Sequence, residues 1–534
     1  MESERSRVPE NVVADIVVVG SGFAGSILAM ALQQTGYRVV MLEKSQHPRF
    51  TIGESSTPIA DMILRDLASE FNLPVLAKLS RYGTWQKHFP HLLCGIKRGF
   101  SYYLHQPEQT YQGDSNHSQE LLVAASSDDS NSDTNWYRSD TDHFLATEAQ
   151  KVGVQLFENS EIVRLERNRN NHRWLAVVKR RNRRFTLQAN WLIDATGSAR
   201  FSESFLDLHS SDSSFRTNTS AIFSHFKEVP YWLDALTTTG SAVSDYPYSP
   251  DHSALHQVIE EGWIWMLRFN NGLLSSGLVL DHNPVSGMLT GYSQAGQKTS
   301  DPQKATADLI WEQTLNRYPS LKALYSGAKL SEVPGKRIAT GRLQRRLNSA
   351  AGEGWLALPH SAGFVDPLHS TGMAHTLTGV ERILNFFKMN SPLLPPDSAE
   401  SEEFGRRYQE TLFSELDLID ELVALCYRTR RNFPLFHSSV MLYFVATIQY
   451  ERSRLQGWKP ESFLCADNTE LRKAIRKGAN MMDDFIKKKG SQEEAMRTVE
   501  TIRKLIEPWN SAGLLDPDKK NLYTHTAVTL NTAG

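Results

Sequence analysis

The alternation of apolar and polar residues predicts short buried strands in the first part of the chain and amphipathic helices towards its end. Residues 14–43 contain the β-branched run ADIVVVG, the turn GSGFAG, the apolar-rich SILAMALQQTG and the run RVVMLEK. This order predicts a strand, a tight turn, a helix and a second strand, of the kind buried in a parallel sheet. Residues 153–195 and 216–285 predict two further groups of strands, and helical spacing returns from about residue 303.

Helical spacing is clearest between residues 400 and 510. Apolar residues there recur at steps of four and three, which places them on one face of a helix: Phe404, Tyr408, Leu412, Leu416, Ile419, Val423 and Cys426. The segment SPLLPPDSAESEE, residues 391–403, predicts a boundary before this helical region. By contrast, residues 113–134 are polar and acidic, which predicts an exposed insertion that is mobile at SSDDSNSDTN.

Composition narrows the class of protein without identifying a reaction. The 534 residues include 58 Lys and Arg against 60 Asp and Glu, a formal net charge of −2. We therefore expect no partner among nucleic acids or acidic membranes. No apolar run reaches the ~18 residues of a transmembrane helix, and no secretory signal precedes the first strand. Three scattered cysteines without a CxxC pair (Cys94, Cys426 and Cys465) favour a reducing, cytoplasmic location and no metal site.

A glycine-rich turn follows the first strand and begins the first helix. Gly20, Gly22 and Gly25 form G-x-G-x-x-G. In this motif the first glycine permits the turn, the second lets backbone approach a pyrophosphate, and the third allows close helix–strand packing. The helix start also favours the negative charge of phosphates. Glu43 ends the second strand 23 residues after Gly20, at the spacing of an acid that binds a ribose. The segment predicts a dinucleotide site.

Two later segments favour FAD over NAD as the dinucleotide. DATG, residues 194–197, follows one apolar run, and AGFVDP, residues 362–367, follows another. A strand, a glycine-containing turn with an acid and a helix start suit a second contact to a long cofactor, which a single NAD domain does not need. The sequence shows no second glycine fingerprint for NAD(P)H.

Five motifs occur in order along the chain: GSGFAG, GESSTP (residues 53–58), DATG, GWIWMLRF (residues 262–269) and AGFVDPLHSTGMAH (residues 362–375). Together they resemble the flavin-dependent halogenases, a tryptophan-halogenase-like group within the FAD monooxygenases of the p-hydroxybenzoate hydroxylase type. GWIW matches the Trp-x-Trp part of that family's W-x-W-x-I-P signature, whereas Met266, Leu267 and Arg268 replace the remainder. The resemblance spans residues 14–380.

The resemblance implies a two-component reaction. A separate flavin reductase supplies FADH2, O2 adds to give a C4a-hydroperoxyflavin, and chloride or bromide attacks its distal oxygen to give hypohalous acid. The oxidant then travels inside the protein to a small, electron-rich aromatic substrate, either free or carrier-bound. A flavin monooxygenase or other FAD oxidoreductase that uses no halide is the alternative, and an FAD-binding protein without activity is a third hypothesis.

The resemblance also implies roles for individual residues. Trp263 and Trp265 of GWIW line the internal passage and obstruct direct access of substrate to the flavin. Ser370, Thr371 and Gly372 fall where halide binds, at a predicted helix start whose backbone N–H groups suit an anion. Ordinary helix capping by Ser or Thr is the alternative for this segment. The cofactor residues belong to the glycine turn and to later motifs: Gly20, Gly22, Gly25, Glu43, Glu54, Arg138, Asp366 and Met373.

Members of this family use a lysine downstream of the GE motif to position or capture hypohalous acid. Lys78 lies 24 residues after Glu54 and Arg81 lies 27 after it. Arg81 occupies the matching position but stays charged, whereas a lysine shifts its pKa when buried. Both are candidates, with Lys87 as a third, and a solvated basic face without a catalytic role is the alternative for all three. His369 stands where tryptophan-specific members carry Glu and would act as a base on a phenol, or else is a histidine hydrogen-bonded inside the pocket.

These observations predict an α/β fold, α+β overall. Residues 1–390 form a discontinuous FAD-binding, monooxygenase-like domain of the Rossmann type, with a substrate-side β-sheet inserted at about residues 205–335. Residues 391–534 form a helical C-terminal region packed onto that domain.

Overall fold

The computed structural model describes residues 10–168, 171–211, 214–282, 302–390 and 395–526. Within these residues the strands are β1 (Asn11–Val13), β2 (Ile16–Val19), β3 (Val39–Leu42), β4 (Cys94–Lys97), β5 (Gly99–Leu104), β6 (Glu120–Ala124), β7 (Asp133–Trp136), β8 (Gln155–Phe157), β9 (Ser160–Arg167), β10 (Trp174–Arg180), β11 (Arg183–Ala189), β12 (Trp191–Asp194), β13 (Ser210–Ser211), β14 (Thr219–Lys227), β15 (Ala254–Ile259), β16 (Gly262–Arg268), β17 (Leu274–Asp281), β18 (Lys329–Leu330), β19 (Ile338–Ala339), β20 (Arg345–Leu347), β21 (Ala351–Gly352), β22 (Trp355–Ala357), β23 (Gly363–Phe364) and β24 (Leu522–Tyr523).

The helices within the same residues are α1 (Phe23–Gln34), α2 (Pro58–Glu70), α3 (Pro74–Leu79), α4 (Tyr82–His88), α5 (Arg138–Lys151), α6 (Phe201–Phe205), α7 (Trp232–Thr238), α8 (Pro302–Asn316), α9 (Pro319–Tyr325), α10 (Pro359–Ala362), α11 (Thr371–Met389), α12 (Ala399–Thr429), α13 (Phe433–Leu455), α14 (Thr469–Lys488) and α15 (Gln492–Ile506).

A six-stranded sheet in the order β21–β22–β12–β2–β3–β8 carries the glycine turn. Strands β22, β12, β2, β3 and β8 run parallel, and all four residues of β2 are buried, as expected of a β-branched run covered on both faces. Helix α1 begins at Phe23, directly after Gly22. The prediction of a strand, turn, helix and second strand in a Rossmann-like α/β fold is confirmed.

A second sheet has the order β18–β14–β17–β16–β15–β5–β6–β24, with β19 also paired to β14. Along β16 the side chains alternate between two cores, because successive residues of a strand point to opposite faces. Trp263, Trp265 and Leu267 join the large core that includes the six-stranded sheet, whereas Ile264 and Met266 join a separate core on the opposite face. Both tryptophans therefore face the predicted cofactor side. Smaller sheets join β1–β11–β10–β9, β13–β20–β23 and β4–β7.

Helices α12 to α15 make up most of the C-terminal region, so the prediction of helices between residues 400 and 510 is confirmed. The apolar face predicted for this segment lies on α12, where Phe404 is partly buried against the core and the other members are buried. After these helices, β24 pairs in parallel with β6 at the edge of the second sheet.

Buried ion pairs join the C-terminal helices to α11. Glu415 of α12 pairs with both Arg382 and His375 of α11. Arg454 of α13 pairs with Glu381 of α11 at 2.8 Å. Because removing one partner of a buried pair leaves an uncompensated charge, these contacts hold the region firmly against α11.

Residues 113–134 are not the exposed insertion that their composition predicts. All five residues of β6 are buried within the second sheet. Strand β7 is buried as well and pairs with β4, although three of its four residues are polar. The prediction is wrong because it weighed composition alone, whereas backbone pairing of β6 with β5 and of β7 with β4 carries both strands into the interior. Residues 127–131 are exposed.

The cysteines Cys94, Cys426 and Cys465 are all buried and free. Within the described ranges, no helix combines the length and the hydropathy that crossing a membrane requires. The same ranges contain no group of three or more His, Cys, Asp or Glu side chains placed to hold a metal ion.

The substitution Glu415→Gln tests how far the fold depends on the ion pairs with α11. Burial works to raise the pKa of Glu415, but Arg382 and His375 outweigh it and lower the pKa to about 2. The pair therefore stabilises the fold above the unfolded pKa of 4.5, and this contribution is lost as the pH falls from 4.5 to about 2. We expect the variant to lose about 3 kcal/mol of unfolding free energy at neutral pH and to depend less on pH in acid.

Urea unfolding at several pH values measures both effects. Glu410→Gln is the control, because Glu410 lies on the same helix and is exposed. Equal stability of the two variants would contradict the role given to Glu415.

Candidate flavin and halide site

The glycine turn packs backbone to backbone against the end of β12. Gly20 has φ +103°, in the left-handed region that favours glycine. A Cβ at Gly20 would lie 2.5 Å from the carbonyl oxygen of Ala195, and a Cβ at Gly25 would lie 2.1 Å from the carbonyl oxygen of Gly20. Neither position therefore has room for a side chain.

Gly22 faces a cluster of charged side chains at the start of α1. Asp142 accepts a hydrogen bond from the backbone N–H of Phe23 at 3.2 Å and pairs with Arg138 at 2.8 Å. Arg49 lies 3.6 Å from the same carboxylate. A helix start with two guanidinium groups beside it is a favourable environment for a pyrophosphate.

Glu43 is fixed at the end of β3. Its carboxylate accepts hydrogen bonds from the N–H and hydroxyl of Ser21, at 3.2 and 3.1 Å, and from the N–H of Ser45 at 2.9 Å. Arg49 pairs with it at 3.2 Å. Burial works to raise the pKa of Glu43, but Arg49 and these donors outweigh it and lower the pKa. The side chain is therefore an ionised acceptor held beside the glycine turn.

The GESS segment is tied to the same cluster. Arg138 donates hydrogen bonds to the carbonyl oxygens of Ile52 at 3.2 Å and Gly53 at 2.8 Å. The next residue, Glu54, is buried and lies 2.8 Å from the Nε2 atom of His225. Arg138 thus joins the loop that presents Glu54 to the start of α1.

Several buried polar atoms around the turn have no hydrogen-bond partner: Nε of Arg49, Nδ1 of His47 and Oε2 of Glu54. Such atoms are costly unless a ligand or water satisfies them. The phosphates, hydroxyls and ring heteroatoms of FAD offer partners of both kinds. With a turn that only glycine fits, the residues suit FAD, and Glu43 and Arg138 are placed to hold it.

Helix α11 begins at the predicted halide residues. Ser370 has φ +53°, and its side chain makes no capping hydrogen bond, so ordinary capping does not explain this serine. Thr371 and Gly372 form the first turn of α11, and Met373 follows as a buried residue. Beside this turn is a small cavity of about 10 Å³, room for about one water-sized occupant. The cavity lining includes His360, Asp366, Thr371, Gly372 and His375.

Trp263 and Trp265 lie side by side on one face of β16. Their ring centroids are 6.2 Å apart, and both side chains are buried. The indole N–H of Trp263 donates to the Tyr427 hydroxyl at 2.7 Å, and that of Trp265 donates to the Ser275 hydroxyl at 3.3 Å. A Cβ at Gly277 would lie 2.1 Å from the Trp265 ring. The pair is therefore closely packed and fixed by hydrogen bonds.

Arg268 explains the departure from the expected end of the tryptophan signature. Its guanidinium donates to the carbonyl oxygens of Val229 at 3.1 Å and Pro230 at 2.9 Å, and lies 3.7 Å from Asp251. The residue anchors the connection after β14 to the end of β16. The departure therefore leaves the two tryptophans in place.

Asp366 lies between the small cavity and the tryptophan pair. Its carboxyl group accepts hydrogen bonds from the Thr219 hydroxyl at 2.8 Å, the Tyr427 hydroxyl at 3.0 Å and the N–H of Leu368 at 3.0 Å. Burial raises its pKa to about 7. The Tyr427 hydroxyl also accepts a hydrogen bond from the indole N–H of Trp263, so Asp366 and Trp263 share a hydrogen-bond network.

His369 is enclosed by aromatic and sulfur groups. Its ring stacks on Tyr443 with centroids 4.2 Å apart, and its Nε2 atom lies 3.6 Å from the Cys426 sulfur. Burial lowers the pKa of His369 to about 3. A ring with so low a pKa is uncharged and weakly basic, which argues against a base acting on a phenol and favours the alternative of a histidine held inside the pocket.

The cations expected downstream of the GE motif lie towards the surface. Lys78 is in the last turn of α3 and is partly exposed. Arg81 precedes α4 and donates to the side chain of Asn131 at 2.8 Å. Lys87 is exposed. The structure therefore buries none of the three.

Lys97 is the residue that sequence analysis missed. It ends β4 and is fully buried, and its ammonium group donates to the carbonyl oxygen of Ser56 in the GESS segment. Its Nζ lies 4.1 Å from the centroid of the Phe100 ring. Burial lowers the pKa of Lys97 to about 8. A lysine inside the short apolar run CGIKRGF was the available signal, 43 residues after Glu54.

Comparison with known proteins decides the family. The profile described as tryptophan halogenase matches residues 134–440, more than half of the chain, and that of FAD-dependent oxidoreductases matches residues 15–217. The chain belongs to the tryptophan halogenase family. The expected FAD-dependent halogenase relationship is therefore confirmed, and the glycine turn falls within the oxidoreductase match.

Among relatives in this family, monodechloroaminopyrrolnitrin halogenase PrnC of Pseudomonas fluorescens is 27% identical over 442 residues, which cover 81% of this chain and 71% of PrnC. Tetracycline 7-halogenase of Kitasatospora aureofaciens is 24% identical over 443 residues, 81% of this chain and 73% of that enzyme. The crystal structure of halogenase PltM covers 95% of this chain and 99% of its own, at 23% identity and a TM-score of 0.79. This last similarity confirms the fold.

The turn of this tryptophan halogenase family member makes a direct prediction for cofactor binding. Gly25→Ala adds a methyl group that would lie 2.1 Å from the carbonyl oxygen of Gly20, so the turn must open. We expect FAD affinity, measured by quenching of flavin fluorescence, to fall by about tenfold or more, equivalent to about 1.4 kcal/mol. Gly327→Ala is the matched control, because no atom lies within 4 Å of its added Cβ. Unchanged affinity in Gly25→Ala would refute the assignment.

Proposed function

We propose that this chain uses reduced FAD, O2 and chloride or bromide to halogenate an electron-rich aromatic molecule, and that Lys97 delivers the halogen. The observation that carries the proposal is a buried lysine, Lys97, that contacts the GESS segment and is connected through packed rings to the tryptophan pair. A monooxygenase that transfers oxygen directly from flavin to substrate needs no amine in that place. PrnC and tetracycline 7-halogenase, both named as halogenases, support the reaction class.

A row of aromatic rings leads from the GESS segment to the tryptophan pair. His225, which contacts Glu54, packs against Phe50 with ring centroids 5.2 Å apart. Phe50 lies 6.4 Å from Phe223, and Phe223 lies 5.9 Å from Trp265. The flavin side of the pair is therefore bordered by apolar rings, which disfavour water beside a reactive oxidant.

The row continues beyond the pair to Lys97. Trp263 packs against His256 with centroids 5.0 Å apart, and His256 stacks on Tyr102 at 4.4 Å. His256 also lies 6.2 Å from Phe100, over whose ring the ammonium group of Lys97 sits. Lys97 is thus linked to the proposed cofactor site in two ways, through these packed rings and through its hydrogen bond to Ser56 of the GESS segment.

Residues near α1 are proposed to bind FAD, and residues at the start of α11 are proposed to bind halide. Bound FAD, when reduced, would supply the electrons that activate oxygen for halide oxidation. Arg49 and Arg138 would neutralise its phosphates, and Glu43 would accept a hydrogen bond from its ribose. The N–H groups of Thr371 and Gly372 hold the halide at the start of α11. The tryptophan pair keeps the aromatic substrate away from the cofactor, so a small oxidant must cross to it.

Lys97 performs the halogen transfer that follows. With a pKa of about 8, an appreciable fraction of its amine is free at neutral pH, unlike that of an exposed lysine. The free amine attacks the halogen of hypohalous acid, an N–halogen bond forms, the O–halogen bond breaks, and water leaves with the amine proton. An aromatic carbon then takes the halogen, the ring loses its proton, and the amine regains one.

We further propose that a separate flavin reductase supplies the reduced FAD. Two observations support this: the resemblance to two-component enzymes, and the single glycine fingerprint in the sequence. A small aromatic molecule, free or carrier-bound, is the proposed substrate.

Halide-dependent oxidation tests the reaction class. The purified protein is supplied with FAD, NADH, a flavin reductase and bromide, and monochlorodimedone traps any hypohalous acid. We expect loss of the dione's absorbance that requires halide, FAD and the reductase. NADPH oxidation without any reductase, together with no trapping in bromide or chloride, would instead identify a monooxygenase or dehydrogenase.

Lys97→Met tests the delivery step, since methionine fills similar space without an amine. We expect halogenation of a phenol panel that includes phloroglucinol to fall at least about 100-fold, equal to about 2.7 kcal/mol, while monochlorodimedone still reports hypohalous acid. Mass spectrometry of the products measures the loss. Lys78→Met is the matched comparison and should halogenate at nearly the normal rate. Loss of activity in Lys78→Met alone would return the role to the lysine first expected from the sequence.

A further inference from the structure

Two buried carboxyl groups, those of Asp61 and Asp133, act on Lys97, and a third, that of Glu451, acts on Asp133. Asp61 lies on α2, Asp133 on β7 and Glu451 on α13, and all three are buried. Lys97 and Asp133 are direct partners in the ladder between β4 and β7. On the other side, the carbonyl oxygen of Ser56 accepts a hydrogen bond from the ammonium group of Lys97. The hydroxyl of Ser56 donates a hydrogen bond to Asp61 at 2.9 Å. Both acids are therefore connected to the lysine through short paths.

Asp61 and Asp133 form a hydrogen-bonded carboxyl pair. Two buried carboxyl groups joined by a hydrogen bond do not both ionise, so the pair shares one proton near neutral pH. Burial raises the pKa of Asp133 to about 6 and raises that of Asp61 well above its usual range. The pair then carries one negative charge. Asp133 acts more strongly on Lys97 than Asp61 does.

Other ionisable groups surround the lysine and the pair. Arg65 of α2 and Arg81 before α4 both work to lower the pKa of Asp133. Burial raises the pKa of Glu451 to about 8 and lowers that of His256 on β15 to about 4, so both side chains are mainly uncharged at pH 7. The negative charge that faces Lys97 from close range is consequently that of the carboxyl pair.

We propose that the Asp61–Asp133 pair positions Lys97 and sets the pH range in which its amine transfers halogen, an inference that rests on the proposed function of Lys97. The ladder holds Asp133 opposite the lysine, and the Ser56 link fixes the ammonium direction. Because the two carboxyl groups share one proton, the negative charge can lie on either of them. The charge is nearer to Lys97 when Asp61 holds the proton, and farther from Lys97 when Asp133 holds it. Asp61 and Asp133 are thus positioning residues.

Two substitutions move this charge in opposite directions. Asp61→Asn is neutral and leaves the full charge on Asp133, close to Lys97, which favours the ammonium form. Asp133→Asn leaves the charge on Asp61, farther from Lys97, which favours the free amine. We expect the pH at which Lys97 loses its proton to rise in the first variant and to fall in the second, by about half a pH unit or more. A purely structural role would not shift the two variants in opposite directions.

Carbon-13 NMR of the full chain labelled at lysine Cε measures the titration directly, without any substrate. Lys97→Met identifies the signal, and Asp129→Asn is the matched control because its exposed carboxylate precedes β7 in the same loop. Opposite shifts in the two pair variants, absent in the control, support the proposal. No shift in either variant overturns it. Thermal melting identifies a variant that fails to fold, and the direction of the other variant's shift then decides.

The pH profile of phenol halogenation completes the test. The part of the pH profile in which activity rises with deprotonation of Lys97 should shift, in each variant, by the same amount as the titration midpoint measured by NMR. NMR shifts accompanied by full halogenation in Lys97→Met would overturn the proposed function while leaving the electrostatic coupling intact. Conversely, inactivity of Lys97→Met without any NMR shift in the pair variants would overturn only the role given to Asp61 and Asp133.

Discussion

The burial of one ammonium group governs the arrangement around the proposed reaction site. A charged lysine inside a protein is costly unless carbonyl oxygens and carboxylates compensate it, or unless it gives up its proton. Lys97 has both options, because Ser56 supplies a carbonyl oxygen and Asp133 stands across the ladder. The β4–β7 pair, the GESS segment and α2 must therefore keep fixed positions relative to one another. That requirement links the proposed cofactor loop to the proposed halogen-transfer site.

The second sheet separates two hydrophobic cores, because successive side chains of a strand point to opposite faces. Side chains alternate across β16, so its tryptophans enter the core shared with the six-stranded sheet while Ile264 and Met266 pack on the other face. Hydrogen bonds from both indole N–H groups fix the ring planes. The two rings are therefore held in place by the strand and by these contacts. Such rigidity suits the proposed passage of a small oxidant rather than of an aromatic substrate.

Local features of the fold could be predicted from the sequence, whereas the lysine could not. The strand, glycine turn and helix around Gly20 depend on residues close together in the chain, and the helices after residue 400 follow a regular apolar spacing. The burial of Lys97 depends instead on β7 and the GESS segment, which lie far from it in the sequence. The prediction for residues 113–134 failed for the same reason, because their polar composition gave no indication of the two buried strands β6 and β7. Sequence spacing after the GE motif therefore favoured Lys78 and Arg81, which lie near the surface.

The pairing of β24 with β6 has a consequence for folding. Leu522 lies opposite Leu122, so this edge of the second sheet is completed by residues about 400 positions apart. Contacts of such long sequence separation form late, because a long loop must close first. Until then β6 presents unpaired backbone groups, and an open edge of this kind is a site for association between chains. During synthesis on the ribosome, this edge of the sheet therefore stays unpaired until β24 has been made. Chaperone protection of β6 would be most valuable in that interval.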